Sequence, residues 1–339
     1  MKYKRIAIDT SKSVFTLHGI DAEDRAILRG DYNRSKFQSF FKKLDPTEVV
    51  MEACGGAHHW ARTLTAMGHR VKLIPPQYVK PFVKRGKNDR NDAEAICDAA
   101  SRPNMTYVPI KSAEQQADGM VLGIRELLIR QRTQLINALR GHATEFGDVV
   151  AKGISKVEAL LAKVAANDAI PARARELIGL LGKEIAHLDE RLSEIDKRLQ
   201  EQHKASAMSR LLAGVPGIGP ITALTLATKA MPEQFESGRH FAAWIGLTPR
   251  QNSSGGKQRL GGISRQGNEQ LRKLLFAGAM SVISHAVKPG GKTASEWLLK
   301  LLNRRPRKVA AVALANKMAR IAWAMMTSGE FYRNAPVKA

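Results

Sequence analysis

The sequence predicts an α/β domain at its start and a mainly α-helical remainder. Three observations carry that expectation. Short runs with alternating or wholly apolar patterning crowd the first 75 residues. Stretches of helical period separate the later runs, so a three-strand meander gives way to strands joined through helical crossovers. After residue 112 the strand patterning fades into long helical runs.

Residues 3–9, YKRIAID, alternate and then run apolar into Asp9, a strand that ends in an acid. Val14–Ile20 reads as a second strand and Ala26–Tyr32 as a third. The short polar turns TSKS and DAED between them suit antiparallel hairpins. Ser35–Leu44 has an amphipathic helical period, with Phe37, Phe40, Phe41 and Leu44 on one side. Glu48–Glu52, EVVME, is a short buried strand that also ends in an acid. CGGA leads into a helix over His58–Met67, and Arg70–Ile74 is a strand closed by Pro75-Pro76. This order fits a ribonuclease-H-like sheet. There Asp9 and Glu52 would stand at the carboxyl ends of neighbouring central strands, the edge where open α/β sheets gather catalytic groups.

The stretch Lys87–Ile96, KNDRNDAEAI, holds Asp89 and Asp92, with Ala93, Ile96, Ala99 and Ala100 following at helical spacing. Residues three apart share a helix face, so both carboxylates can point one way. Close carboxylates repel unless a proton or cation lies between them. Mg2+ or Mn2+ suits such oxygen donors. Asp9, Glu52, Asp89 and Asp92 would together suffice for two metal ions roughly 3.5–4 Å apart. Each acid also has a plainer reading. Asp89 could be an N-cap, Asp92 a complement to the helix dipole, Asp9 a turn cap and Glu52 an exposed strand end. Glu94 and Asp98 read as solvated. His58 and His59 read as packing or surface, since adjacent helical residues do not face together.

Composition narrows the partner. The 339 residues include 54 Lys+Arg against 31 Asp+Glu, a formal net charge of +23. That surplus favours a polyanion, most simply nucleic acid. No continuous apolar run reaches about 18 residues, which argues against a membrane partner. KYKRIAID reads as a strand rather than a secretory signal core. Two cysteines, Cys54 and Cys97, are too few for a disulfide framework or a zinc cage. A cytoplasmic protein is expected.

Residues 112–150 form a largely helical segment bearing Arg125, Arg130, Arg132 and Arg140. Between Glu176 and Gln200, the apolar positions Leu181, Ile185, Leu188, Leu192, Ile195 and Leu199 alternate four and three apart, following Leu177. That spacing is a coiled-coil seam, for self-association or an antiparallel helical pair. Soft joints at Gly153 and over Asn167–Pro171 divide the chain into 1–150, a helical 151–205 and a mainly α domain over 206–339. GVPGIG, within 209–230, resembles a helix-hairpin-helix turn, whose backbone would contact phosphate; a tight turn between packed helices is the alternative. From Phe241 to Leu274, Arg250, Lys257, Arg259, Arg265, Arg272 and Lys273 bracket Ser253-Ser254 and are candidate nucleic-acid contacts. A serine hydroxyl is a weak nucleophile without a base, a metal or positive charge nearby, and Ser-Ser-Gly-Gly can be simply a flexible turn. The tail Arg304–Trp323 reads as a basic amphipathic helix.

IAIDTSK, VVMEACGG and KNDRNDAEAI resemble the Asp, Glu and Asp-x-x-Asp motifs of DEDD-type insertion-sequence transposases, relatives of the Piv and MooV DNA invertases. GLTPRQNSSGGK and LGGISRQGN resemble the C-terminal transposase domain of that family. The resemblance implies a RuvC-type N-terminal domain whose Asp9, Glu52, Asp89 and Asp92 bind metal. It further implies a serine nucleophile directly before a glycine. That places the role on Ser254, with Ser253 as competitor. Cleavage and rejoining of double-stranded DNA would pass through a covalent phosphoserine link. Such a link conserves the phosphodiester energy, and no Walker-type phosphate loop is present in the sequence. Dimers pairing into tetramers and a structured bridge RNA encoded by the element are implied in the same way. Two other readings stand beside this one: a RuvC-like metal nuclease that resolves Holliday junctions by hydrolysis, and a non-catalytic nucleic-acid-binding protein.

Overall fold

The computed structural model describes residues 2–84, 86, 88–288 and 295–333. Lys87, which opens the KNDRNDAEAI stretch, lies outside the described residues. The chain forms two compact units, Met1–Ala117 and Asp118–Ala339.

The first unit is a five-stranded sheet in the order β3-β2-β1-β4-β5, with β1 (Arg5–Thr10), β2 (Val14–Ile20), β3 (Ala26–Asn33), β4 (Glu48–Glu52) and β5 (Arg70–Ile74). The first three strands pair antiparallel; β1 with β4 and β4 with β5 are parallel. This is the ribonuclease-H-like order expected from the sequence. Helix α1 (Arg34–Lys42) starts where the Asn33 side chain accepts the Lys36 N–H at 2.9 Å, so β3 runs directly into it. Helix α2 (Ala57–Ala66), the single-turn α3 (Pro76–Val79) and α4 (Asp89–Ala100) complete the unit.

Strand alternation sorts the sheet's side chains between two layers. Ile6, Ile8, Val49 and Met51 face Phe37, Phe41, Trp60 and Leu64 of α1 and α2. Ala7 and Val50 face Ala95, Ile96 and Ala99 of α4. By the same alternation Arg5, Asp9, Glu48 and Glu52 project from β1 and β4 towards the α4 side.

In the second unit α5 (Ala113–Glu145), α6 (Val157–Ala166) and α7 (Ala172–Ala205) form a helical arm. Gln202 bonds Asp118, Arg125 bonds Asp196 and Arg132 bonds Asp189, so α7 runs antiparallel to α5. Leu128, Leu188 and Leu192 pack in one cluster along it, and Leu122 with Leu199 in another. The seam residues from Ile185 onward thus find partners within the chain, whereas Leu177 is exposed. At Gly182 a side chain would collide with Leu161 of α6, 2.7 Å away, which is why the helices cross there.

The rest is a helical domain of α8 (Ala207–Leu212), α9 (Pro220–Lys229), α10 (Gly238–Ile245), α11 (Glu269–Ala286), α12 (Glu296–Arg304) and α13 (Arg307–Ser328). The hairpin β6 (Pro249–Gln251) and β7 (Leu260–Ile263) inserts between α10 and α11. The GVPGIG turn is packed inward: Val215 and Ile218 are buried. A Cβ on Gly217 would lie 3.0 Å from the Gly278 carbonyl of α11 and 2.9 Å from Met318 of α13. The helix expected over Arg304–Trp323 is present as α13, which starts three residues later, at Arg307, because Arg305-Pro306 separates it from α12. Helix α13 is a central core element that buries Ala310, Ala311, Ala315, Met318, Ala319 and Ala322. Its small side chains allow close approach on several sides, so the sequence lacks a single apolar stripe. By length and composition α13 would also suffice to cross a membrane; here 44% of its apolar window is buried inside the fold.

Candidate active site

The β1–β4 register pairs Ile8 with Met51, which sets Asp9 and Glu52 side by side at the carboxyl ends of the two central strands. Helix α4 begins beside them. Its N-cap is Asn88, whose Oδ1 accepts the Arg90 N–H at 2.8 Å and the Asn91 N–H at 3.0 Å. Asp89 therefore does not cap the helix; together with Asp92 it sits within the first turn. Asn and Asp cap helices about equally well, so the sequence alone did not separate Asn88 from its neighbour.

One carboxylate oxygen from each of Asp9, Asp89 and Asp92 comes together, all within 4.8 Å of one another. Glu52 stays outside that radius but lies close enough to act electrostatically. Burial, then the charges of Asp89, Asp92 and Glu52, push the Asp9 carboxyl up to about 6. Burial, then Asp92, raises Glu52 as well. Among the described residues no Lys or Arg forms an ion pair with any of the four. Three hard oxygen donors in one small volume, with no ion-pairing cation among the described residues, fit a divalent cation. Around them, Thr16 on β2 donates to Asp31 at 2.9 Å and Arg90 reaches Asp31 at 3.4 Å. Thr10 and Cys54 touch through Oγ1 and Sγ at 3.0 Å, linking the ends of β1 and β4.

Of the plainer readings, His58 is structural. It accepts the Lys111 N–H on Nδ1 at 3.2 Å, and burial, then Lys111 and Arg62, lower its pKa. Glu94 pairs with Lys84 at 2.8 Å.

In the second unit, Ser254-Gly255-Gly256-Lys257 is a tight turn closed by Lys257 N–H to Ser254 O at 3.1 Å. Gly255 and Gly256 have φ of 55° and 75°, the left-handed pair that a type I′ turn requires. The two serines differ. Ser253 Oγ accepts the Arg259 N–H at 3.1 Å, bracing the hairpin. Among the described residues the Ser254 hydroxyl has no hydrogen-bond partner, and it is exposed at the tip. Lys257, Arg259 and Arg265 are exposed around this hairpin. Arg250 points its guanidinium at the Ser264 carbonyl, 3.3 Å away. Arg272 is committed internally, donating to the Ile245 and Gln266 carbonyls at 2.8 and 3.0 Å. Lys273 pairs with Glu269 at 2.7 Å. The hairpin's root is held by close packing: a Cβ on Gly267 would meet the Trp244 carbonyl oxygen at 1.7 Å, and one on Gly246 the Gln266 oxygen at 2.2 Å.

Comparison with known proteins adds a lineage. A family model described as "Transposase IS116/IS110/IS902 family" matches residues 209–294. A second, described as "Transposase" and representing the DEDD type, matches residues 6–147. A transposase of Sinorhizobium fredii is 53% identical over 332 residues, 98% of this chain and 86% of that protein. The transposase for insertion sequence element IS1111A of Coxiella burnetii is 42% identical over 333 residues, 97% of this chain and 91% of that protein. More distantly, a pilin gene-inverting protein of Moraxella bovis is 24% identical over 295 residues, 82% of this chain and 79% of that protein.

Proposed function

Starting from a chain that belongs to the IS116/IS110/IS902 transposase family, and so from an enzyme that cleaves and rejoins DNA, we propose that it exchanges strands through a covalent link to Ser254. Asp9, Asp89 and Asp92, with Glu52 beside them, hold divalent metal, Mg2+ or Mn2+. The meeting of three carboxylates within 4.8 Å carries this part of the reading. When bound, such an ion supplies positive charge that offsets the charge developing on a scissile phosphate.

The remaining chemistry belongs to the chain's own groups. Asp9, held partly protonated near neutrality in the absence of a counter-charge, gives up that proton when a cation arrives. Ser254 is the freer of the two hydroxyls, and the Gly-Gly turn presents it in the open. Its oxygen attacks phosphorus, its proton passes to solvent, the bond from phosphorus to the leaving deoxyribose oxygen breaks, and that oxygen takes up a proton from solvent to leave as a hydroxyl. A DNA hydroxyl then attacks the phosphoserine, making one phosphodiester and returning the serine. Each step exchanges one phosphate ester for another, so no nucleotide hydrolysis is needed. Exposed Lys257, Arg259 and Arg265, with Arg250 at the hairpin's start, lie where a phosphate backbone would approach Ser254.

The domain partition follows the same reading: a RuvC-type metal domain over 1–150, a helical 151–205 and a serine-bearing domain over 206–339. The two family matches, 6–147 and 209–294, fall on either side of the helical segment. Two duplexes must be held together during exchange, which calls for a homo-oligomer. The surplus of Lys+Arg, 54 against 31, supports a second polyanion beside DNA, a structured bridge RNA from the element itself. Kinship with the pilin-inverting proteins extends the reading to site-specific inversion chemistry.

The test is trapping. Protein, Mg2+, element-end DNA and element RNA are incubated, denatured and searched for a DNA–protein adduct mapped by mass spectrometry. An adduct on Ser254 supports the reading. Cleavage with no adduct, retained in Ser254→Ala, would replace it with hydrolysis by a RuvC-like nuclease.

A further inference from the structure

The helical domain of the second unit contains a groove of about 1090 Å³ that the proposed chemistry does not use. It is lined by the start of α10, by α12 and by α13, and it ends at Pro249 and Ile263, the roots of the Ser254 hairpin. Its wall is dominated by apolar side chains, among them Val309 and Trp297, which remain 51% and 37% exposed. Three cations stand in the same wall: Arg239, Lys317 and Arg320. Among the described residues none of them has an ion-pair partner. The nearby Glu236 faces His240 instead, at 3.4 Å. Lys317 places its ammonium 4.6 Å from the centre of the Trp297 ring, which fixes the indole in the wall.

An exposed indole beside cations that have no carboxylate partner among the described residues is the chemistry of a single-strand site. Bases stack on an aromatic face while cations follow the phosphates. A duplex would engage the cations but keep its bases stacked inside and leave the indole unused. The enzyme opens and rejoins DNA, so lengths of strand must part from their complement during exchange. We infer that this groove holds unpaired nucleotides of the DNA substrate, one base against Trp297 and the adjoining phosphates against Arg239, Lys317 and Arg320. Trp323, in the same wall, serves the fold instead, since its Nε1–H donates to the Pro232 carbonyl at 3.1 Å.

The test uses the full chain without divalent metal, so it is independent of serine chemistry and of the carboxylate site. The probes are fluorescent oligo(dT) of about 16 nucleotides, the upper range of such sites, a duplex of equal length and oligo(U). Iododeoxyuridine photocrosslinking should mark Trp297. Trp297→Ala should weaken oligo(dT) binding about fivefold or more, leave duplex binding within about twofold, and be rescued by Trp297→Phe. The double change Arg239→Gln with Arg320→Gln should flatten the slope of log K against log salt by about 1.4, since each single-strand phosphate contact is worth about 0.7. Equal losses on duplex and single strand would overturn the inference in favour of a general basic surface. So would unchanged oligo(dT) binding by a Trp297→Ala protein with native circular dichroism. Selective crosslinking of oligo(U) over oligo(dT) would give the groove to RNA instead.

Discussion

Glu48 and Glu52 stand at the two ends of β4, on the same face of the sheet, in opposite electrostatic surroundings. Glu48 is clasped by Arg5 at 2.6 Å and Lys72 at 2.7 Å. Burial alone would raise its pKa, but those two cations outweigh it and hold the carboxyl below its usual range. Arg5 also donates to the Ser101 hydroxyl at 2.7 Å, tying β1 and β4 to the end of α4. Glu52 has no such cation among the described residues and looks onto Asp92. One end of the strand is built for stability, the other keeps its negative charge available.

Opposite effects on stability follow from that contrast. Glu48→Gln leaves the nearly buried Arg5 charge without its carboxylate and should destabilise the first unit by about 3 kcal/mol. Glu52→Gln removes a repelling charge and should leave the metal-free protein as stable or more so, while weakening the stabilisation gained from Mn2+. Thermal melting of the two variants with and without Mn2+ checks this. A loss of metal-free stability in Glu52→Gln matching that of Glu48→Gln would refute it.

Asp9 gives the pH dependence. Its folded pKa of about 6 lies above the ordinary carboxyl value of 3.8. Between those values the folded chain retains a proton that the unfolded chain has released. Linkage then makes the metal-free protein lose stability as pH rises through that window. Divalent metal must displace the same proton, so stabilisation by Mn2+ should grow from pH 5 to pH 7. Melting of wild type and Asp9→Asn across about pH 4.5–7 isolates the effect. The difference between the two curves should shift in favour of Asp9→Asn with rising pH, and a pH-independent difference would contradict the assignment.

Much of this fold and site is legible in the sequence. The apolar runs in YKRIAID and EVVME mark the strands because β1 and β4 are covered on both faces, and the two-residue period of a strand sends their terminal acids to one side. What the sequence hides depends on close approach in space. Nothing in GVPGIG announces that Gly217 and Gly278 come together across helices, where a Cβ on Gly278 would meet the Gly217 oxygen at 1.9 Å. Arg272 reads as a nucleic-acid contact because it is basic and follows a loop. Its guanidinium instead bonds the Ile245 carbonyl at the end of α10, a partner 27 residues away in the chain. Likewise the α7 seam specifies a partner helix, but only the ion pairs with α5 show which one.

Two glycines near the hairpin should differ sharply in tolerance. Gly267 has φ of 73° and no room, with the Trp244 oxygen 1.7 Å from a would-be Cβ. Gly255 has φ of 55° but open space on every side. Gly267→Ala should cost about 3 kcal/mol or more, combining overpacking with backbone strain. Gly255→Ala should cost only the left-handed penalty, about 1–2 kcal/mol. Denaturant melts followed by Trp fluorescence will rank them, and equal costs would mean that the loop does not dock against α10 in solution.

The two serines offer the sharpest separation of structure from chemistry. Ser253→Ala removes the acceptor for the Arg259 N–H in an exposed hairpin and should cost about 1 kcal/mol locally. Its rate of DNA joining should fall only severalfold, and adducts should still form on Ser254. Ser254→Ala removes no hydrogen bond and should melt like wild type. It should nevertheless lose strand joining by about a thousandfold or more, because a nucleophile acting with its metal site cannot be partly replaced. Ser254→Cys tests position apart from oxygen chemistry: it keeps a nucleophile at the tip but offers soft sulfur where hard oxygen matches phosphorus and divalent metal, so folded but slow enzyme is expected. Measuring melting, DNA affinity and joining on the same three proteins decides the matter. If Ser253→Ala were the variant that lost the adduct while Ser254→Ala kept it, the braced hydroxyl rather than the free one would be the nucleophile, and the hairpin would have to open at Arg259 before attack.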